Sequence, residues 1–168
     1  TPAYNCESAY YLITDIQNRL TYDVVFIDLS LPAFPEQKIY SGHDLAALVR
    51  LYMPTAKIII ITSHIEAFVL YKIHREIEPE GLLVKSDFSA EELLTAFNQI
   101  VAGDKYRSRT VQQNISDLMA NDFLLDGYYQ QIITLLAQGI KTKNMPEYIN
   151  ITLSAIDKRK AHIKEFFN

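Results

Sequence analysis

Val24, Val25, Phe26 and Ile27 run without a polar break into Asp28, and Pro32 follows four positions after that carboxylate. A continuous β-branched and aromatic run is the pattern of a parallel strand covered on both faces, not the in-out alternation of a strand with one wet face. Proline has no amide to give to a ladder, so Pro32 cannot extend the strand. Asp28 is thereby delivered to a carboxyl-end crevice, the place where open α/β sheets gather their chemistry.

The same logic repeats twice downstream. Lys57 to Ser63 reads as a second buried strand ending in Thr62 and Ser63, and Leu82 to Val84 as a short third one terminated by Lys85. Helical spacing fills the intervals. Tyr10, Tyr11, Ile13, Ile16 and Leu20 mark a helix from Glu7 to Leu20, and Leu45, Leu48, Val49 and Tyr52 another from Gly42, stopped by Pro54. A third spans about Ile65 to Ile77. The fourth has Ser89 as N-cap, Glu92 at capping-box spacing and Gly103 as C-cap. Strands alternating with helices imply a doubly wound, flavodoxin-like α/β domain with a parallel sheet. All carboxyl ends of such a sheet lie along one edge, so Asp28, Thr62 and Lys85 converge there.

After residues 1–103 the pattern changes. Residues 104–122 read as a linker with a connecting helix from Val111 to Ala120, and residues 123–168 as a small all-α domain. In it, Leu125 to Gly139 is helical, a second segment runs from Lys143 to Ile149, and Thr152 opens a basic last helix, the order of a helix-turn-helix unit.

Composition removes several classes. A chain of 168 residues with 49% hydrophobic content buries a sizeable core, and a net charge of -4 excludes a globally basic nucleic-acid coat while leaving room for a local basic helix. One cysteine, Cys6, excludes an internal disulfide and a cysteine zinc site. No apolar run approaches the ~20 residues of a membrane span, so a cytoplasmic protein with no membrane partner is expected. His43, His64 and His74 lack ligand spacing. With five glycines and no G-x-G-x-x-G or Walker pattern, a nucleotide enzyme is disfavoured.

A carboxylate, a hydroxyl and an ammonium at one crevice suit phosphoryl handling: the carboxylate attacks phosphorus, the hydroxyl donates to a phosphoryl oxygen, and the lysine neutralises charge. These residues resemble the response-regulator receiver domain, with an aspartate after an apolar strand and a proline four residues on (Asp28, Pro32), a hydroxyl ending the next strand (Thr62) and a lysine ending the one after (Lys85). Gly42 matches the family's loop glycine across a longer insertion, Pro35 to Ser41, and Leu82 stands at its aromatic switch position. The resemblance covers about residues 1–103. It implies phosphorylation of Asp28 by a sensor histidine kinase, with Mg²⁺ held by Asp28, the Ser30 carbonyl and an acidic pair. That pair, its strand and the helix after it have no counterpart here, so an N-terminally incomplete receiver domain is expected.

Residues 123–168 are similar to a LuxR/NarL-type DNA-binding domain lacking its fourth helix. The resemblance implies binding of double-stranded DNA by a homodimer, with the last helix in the major groove. Ile156, Ile163 and Phe167 make a core-facing stripe, leaving Ser154, Lys158, Ala161 and His162 on the groove side. Arg159, Lys160, Lys164 and Lys143 are expected at phosphates, and Asp157 beside a neighbouring cation or a cytosine amino group. The helix holding Phe68, Val69, Leu70, Tyr71 and Ile73 is more apolar than one buried face requires, so core packing and a self-association face both stay open. The leading expectation is a phosphorylation-controlled transcription regulator, not an enzyme. A phosphorylation-independent receiver-like interaction module is the alternative, and a small doubly wound enzyme stands third.

Overall fold

The computed structural model describes residues 1–15, 22–64, 66–120 and 127–166. The chain divides into two compact units, Thr1–Ser116 and Asp117–Asn168. In the first, β1 (Val24–Asp28), β2 (Lys57–Thr62), β3 (Gly81–Val84) and β4 (Tyr106–Arg107) form one parallel sheet in chain order. The register sets Asp28 opposite Ile61 and Thr62 opposite Val84, which aligns the carboxyl ends of the first three strands.

Both faces carry helices. Ile27, Ile58, Ile60, Leu82 and Val84 are buried with residues of α2 (Gly42–Tyr52), α3 (Ala67–Glu76) and α5 (Arg109–Ala120), among them Val49, Leu70, Ile73, Val111 and Ile115. On the opposite face Ile59 and Leu83 pack with Ala96 and Ile100 of α4 (Ala90–Ala102). Gly81 permits that contact, since a Cβ there would lie 2.7 Å from Ile100 Cδ1 and 2.9 Å from Ile59 Cγ2. Full cover holds for β2 and β3 but not for β1. As the first strand in the sheet order, β1 leaves Phe26 half-exposed, stacked on Phe97 at 5.9 Å.

α1 (Cys6–Thr14) is shorter than the expected helix, and Ile16 and Leu20 lie outside the described residues. Its Cys6 packs with Leu45, Phe34 and Ile39. The last two come from the insertion after Pro32, which closes on itself through Phe34 N–H to Ile39 O at 2.7 Å and the return bond at 3.1 Å. The expected caps of α4 are present: Ser89 and Glu92 form a reciprocal box, and Gly103 ends the helix at φ 112°.

Two expectations are corrected. Residues 104–116 are no linker, because Tyr106 and Arg107 add the fourth strand and Val111 and Ile115 enter the first unit's core. A two-residue strand has no period to read, which is why Gly103 looked like the domain's end. The apolar surplus of α3 is no surface either: Leu70, Tyr71 and Ile73 are buried and Phe68 and Val69 partly so, and the expected start at Ile65 lies outside the described residues.

The second unit holds α6 (Gly127–Ala137), a 3-10 turn (Thr142–Glu147) and α7 (Leu153–Phe166). Leu118, Tyr129, Ile132, Leu135, Met145, Ile149, Ile156 and Ile163 are its buried apolar residues among those described. Gly139, at φ 76°, lets the chain turn back after α6, with Gly139 N–H to Leu136 O and Ile140 N–H to Leu135 O both at 2.9 Å. The expected middle helix is only this 3-10 turn, because Pro146 falls inside it and has no amide to continue an α-helical ladder. Among the described residues no helix is long and apolar enough to cross a membrane.

Candidate functional site

Asp28 is the last residue of β1, and each of its carboxylate oxygens has a partner. Oδ1 accepts from the Ser30 amide at 3.0 Å, the local turn that short acidic side chains favour, and Oδ2 meets Lys85 Nζ at 2.6 Å. Lys85 follows β3 directly and opens a single 3-10 turn, Lys85–Asp87. Both side chains reach solvent, at 33% exposure for Asp28 and 45% for Lys85. Thr62, fully buried at the end of β2, accepts from the His64 amide at 2.9 Å, which leaves its own O–H as a donor. The structure thus brings Asp28 and Lys85 into contact and sets Thr62 at the strand end between them.

Gly42 fixes the far wall of this crevice. A Cβ on it would stand 2.1 Å from the Asp28 carbonyl oxygen, so only glycine lets α2 start against the end of β1. Ser41 caps that helix, and the Asp44 carboxylate accepts from the Tyr40 and Ser41 amides at 2.8 and 3.1 Å.

Burial pushes the Asp28 carboxyl up, but the hydrogen bonds from Lys85 and the Ser30 amide, with the charge of Lys85, outweigh it and hold it below the usual carboxylate range. The group is therefore ionised and competent as a nucleophile at neutral pH. The implied Mg²⁺ fits these residues poorly. Both carboxylate oxygens already have donors, the Lys85 ammonium and the Ser30 amide, and no group of three His, Cys, Asp or Glu side chains among the described residues could hold a metal.

In α7, Thr152 caps the helix through Ala155 N–H at 3.3 Å. Ser154, Asp157, Lys158, Ala161 and Lys164 are exposed at helical spacing along one stripe, and Lys143 is exposed on the 3-10 turn. Three other expected contact residues are engaged inside the unit. Arg159 lies 5.5 and 5.4 Å over the Tyr128 and Tyr129 rings, Lys160 Nζ is 2.6 Å from Thr142 Oγ1, and His162 Nδ1 is 3.0 Å from Tyr129 Oη. The adjacent tyrosines of α6 were the available signal, since aromatic faces and phenol oxygens attract such neighbours. Ile156 and Ile163 face the core as expected, and Phe167 lies outside the described residues.

An acid, a hydroxyl and a lysine thus end three successive parallel strands, and a separate helical unit follows. This arrangement is similar to that of two-component response regulators of the LuxR family. Among individual proteins, the chain is similar to the oxygen regulatory protein NreC of Staphylococcus carnosus (strain TM300), with 23% identity over 162 residues covering 87% of this chain and 70% of NreC. The structure of RcsB from Salmonella enterica serovar Typhimurium, bound to promoter P1flhDC in the presence of the phosphomimetic BeF3-, superposes with a TM-score of 0.67 at 21% identity. It covers 92% of this chain and 72% of that one. A LuxR-family two-component response regulator from Aurantimonas sp. SI85-9A1 gives a TM-score of 0.57 at 26% identity, covering 70% and 76%. No protein-family model matches the chain.

Proposed function

We propose that this protein is a DNA-binding response regulator whose phospho-acceptor is Asp28. The observation that carries the reading is the 2.6 Å contact of Lys85 Nζ with Asp28 Oδ2 at the strand ends that also hold Thr62. In the transfer, an Asp28 carboxylate oxygen attacks the phosphorus of a kinase phosphohistidine. The P–N bond breaks, its electron pair returns to the imidazole nitrogen, which takes up a proton, and an acyl phosphate forms. Lys85 then exchanges the lost carboxylate charge for a phosphoryl oxygen, and the Thr62 O–H donates to another.

The second unit serves as the DNA reader. RcsB is seen on promoter DNA and as dimers, and the corresponding reading here is a homodimer that sets α7 into the major groove of double-stranded DNA. The exposed stripe of Ser154, Lys158 and Ala161 faces the bases, Lys164 and Lys143 lie near phosphates, and Asp157 pairs with a cytosine amino group or a cation. Arg159, Lys160 and His162 act chiefly by holding α7 on the unit's own core.

Labelling of the full-length protein by a phosphodonor with Mg²⁺, with hydroxylamine-sensitive phosphate read by mass spectrometry, is expected to mark Asp28 and to fail in Asp28→Asn. Label persisting in that variant, or never forming in the wild type, removes the acceptor assignment and leaves a phosphorylation-independent interaction module. In DNA titrations, Lys158→Ala should lose ~1 to 3 kcal/mol at a specific site, whereas Lys143→Ala weakens all DNA alike and lowers the salt slope by about one.

A further inference from the structure

Apart from Thr62, one polar residue is counted as buried among the described residues, Ser108, and both meet the backbone at Val84. Thr62 is the register partner of Val84 in the sheet, and the Ser108 hydroxyl accepts the Val84 amide at 3.0 Å. Val84 is the residue immediately before Lys85. Ser108 stands just ahead of α5, where a serine hydroxyl ordinarily accepts from the helix's own first-turn amides. Here it turns the other way, taking the Val84 N–H and giving its proton to Asp87 Oδ2 at 2.5 Å. Asp87 supplies the missing cap in its place: Oδ2 accepts the Thr110 amide at 2.8 Å and Oδ1 the Thr110 hydroxyl at 2.7 Å.

Asp87 and Lys85 belong to the same single 3-10 turn, so the cap of α5 is tied to the cation that faces Asp28. α5 itself runs from Arg109 to Ala120, past Ser116 where the first compact unit ends. Burial raises the Asp87 carboxyl, but the hydrogen bonds from Ser108 and Thr110 outweigh it and keep it ionised, an acceptor at both oxygens. The sequence showed Asp87 only as turn chemistry and Ser108 only as linker.

We propose that Asp87 is a positioning residue that couples the Lys85–Asp28 contact to the start of α5 by capping that helix from the Lys85 turn. When Lys85 shifts from the Asp28 carboxylate toward an added phosphoryl group, the turn carries Asp87 with it, and the first turn of α5 tightens or loosens accordingly. Signalling through α5 rests on the phospho-acceptor reading above, but the mechanical link between Lys85 and α5 does not.

Amide hydrogen exchange on the full chain tests the link without any phosphoryl donor. Asp28→Asn weakens the hold on Lys85 and should change exchange at Gln112 to Ile115 by roughly threefold or more, the scale of a partly lost cap. In the Asp87→Asn background the same Asp28 change should leave those amides within experimental error, and Thr110→Val, which deletes one of the three bonds, should give an intermediate response. Equal responses to Asp28→Asn with and without Asp87, or no response in the otherwise wild-type chain, would overturn the coupling. Phosphodonor labelling of the same proteins separates the two ideas: Asp87→Asn should still be labelled at Asp28 to within about twofold, since Asp87 has no contact with the acceptor. Failure of wild-type labelling strikes only the phospho-acceptor reading.

Discussion

The two ends of the parallel sheet each hold a carboxylate paired with a cation, and they differ in how fully the pair is satisfied. At the amino end, Glu80 accepts the Ile58 amide at 2.6 Å and Arg50 at 3.0 and 3.2 Å, while Arg50 also donates to the carbonyls of Ile77, Ala56 and Glu78. Both side chains are about three-quarters buried. At the carboxyl end, Asp28 and Lys85 share one contact, the Ser30 amide is the only other donor to the carboxylate among the described residues, and both groups meet water. All three nitrogens of the Arg50 guanidinium are engaged, by three carbonyls and the Glu80 carboxylate; the ammonium of Lys85, with one contact among the described residues, keeps hydrogens for a ligand. Saturation makes the first pair a staple, and incompleteness makes the second a site.

The strongest way to break this contrast is to truncate the staple. Arg50→Ala strands Glu80 and three carbonyls without their donor and should cost about 2 to 4 kcal/mol in urea unfolding, whereas Lys85→Ala should cost less than about 1 kcal/mol because its pair is exposed. Equal losses would erase the distinction. Gly42→Ala attacks the site end by another route: its methyl would press on the Asp28 carbonyl, which cannot yield as a side-chain tip could. It should destabilise by about 2 kcal/mol and sharply reduce phosphodonor labelling.

Acid titration sharpens the comparison with a smaller effect. Burial raises the Glu80 carboxyl, yet the Ile58 amide and Arg50 hold it below its ordinary value, as Lys85 does for Asp28. Carboxyls lowered in the folded state contribute stability that is complete above their unfolded values, near pH 4, and is lost as pH falls through the folded ones. These two carboxyls should therefore add no slope to the unfolding free energy around neutrality and a decline below about pH 4, with Glu80→Gln flattening that decline more than Asp28→Asn.

Much of this was readable in advance, because the signals were local. Unbroken apolar runs identified β1 to β3, Pro32 ended the first, and the Ser89, Glu92 and Gly103 caps bounded α4. Parallel strands share a direction, so the order of the runs alone puts Asp28, Thr62 and Lys85 at one edge. What escaped depended on partners distant in the chain. Whether α3 shows its apolar residues to solvent is settled by the sheet beneath it, and which partner the exposed His162 ring finds by the Tyr129 phenol 33 positions away. Asp87 and Ser108 are ordinary turn and linker residues until β4 pairs with β3 and brings them within 2.5 Å. The sequence by itself determined the periodicity of its elements and the acid, hydroxyl and lysine that close three of them. Only tertiary structure decided which carboxylates would be saturated and which left open, because donors from distant segments meet an acid only after the layers have packed.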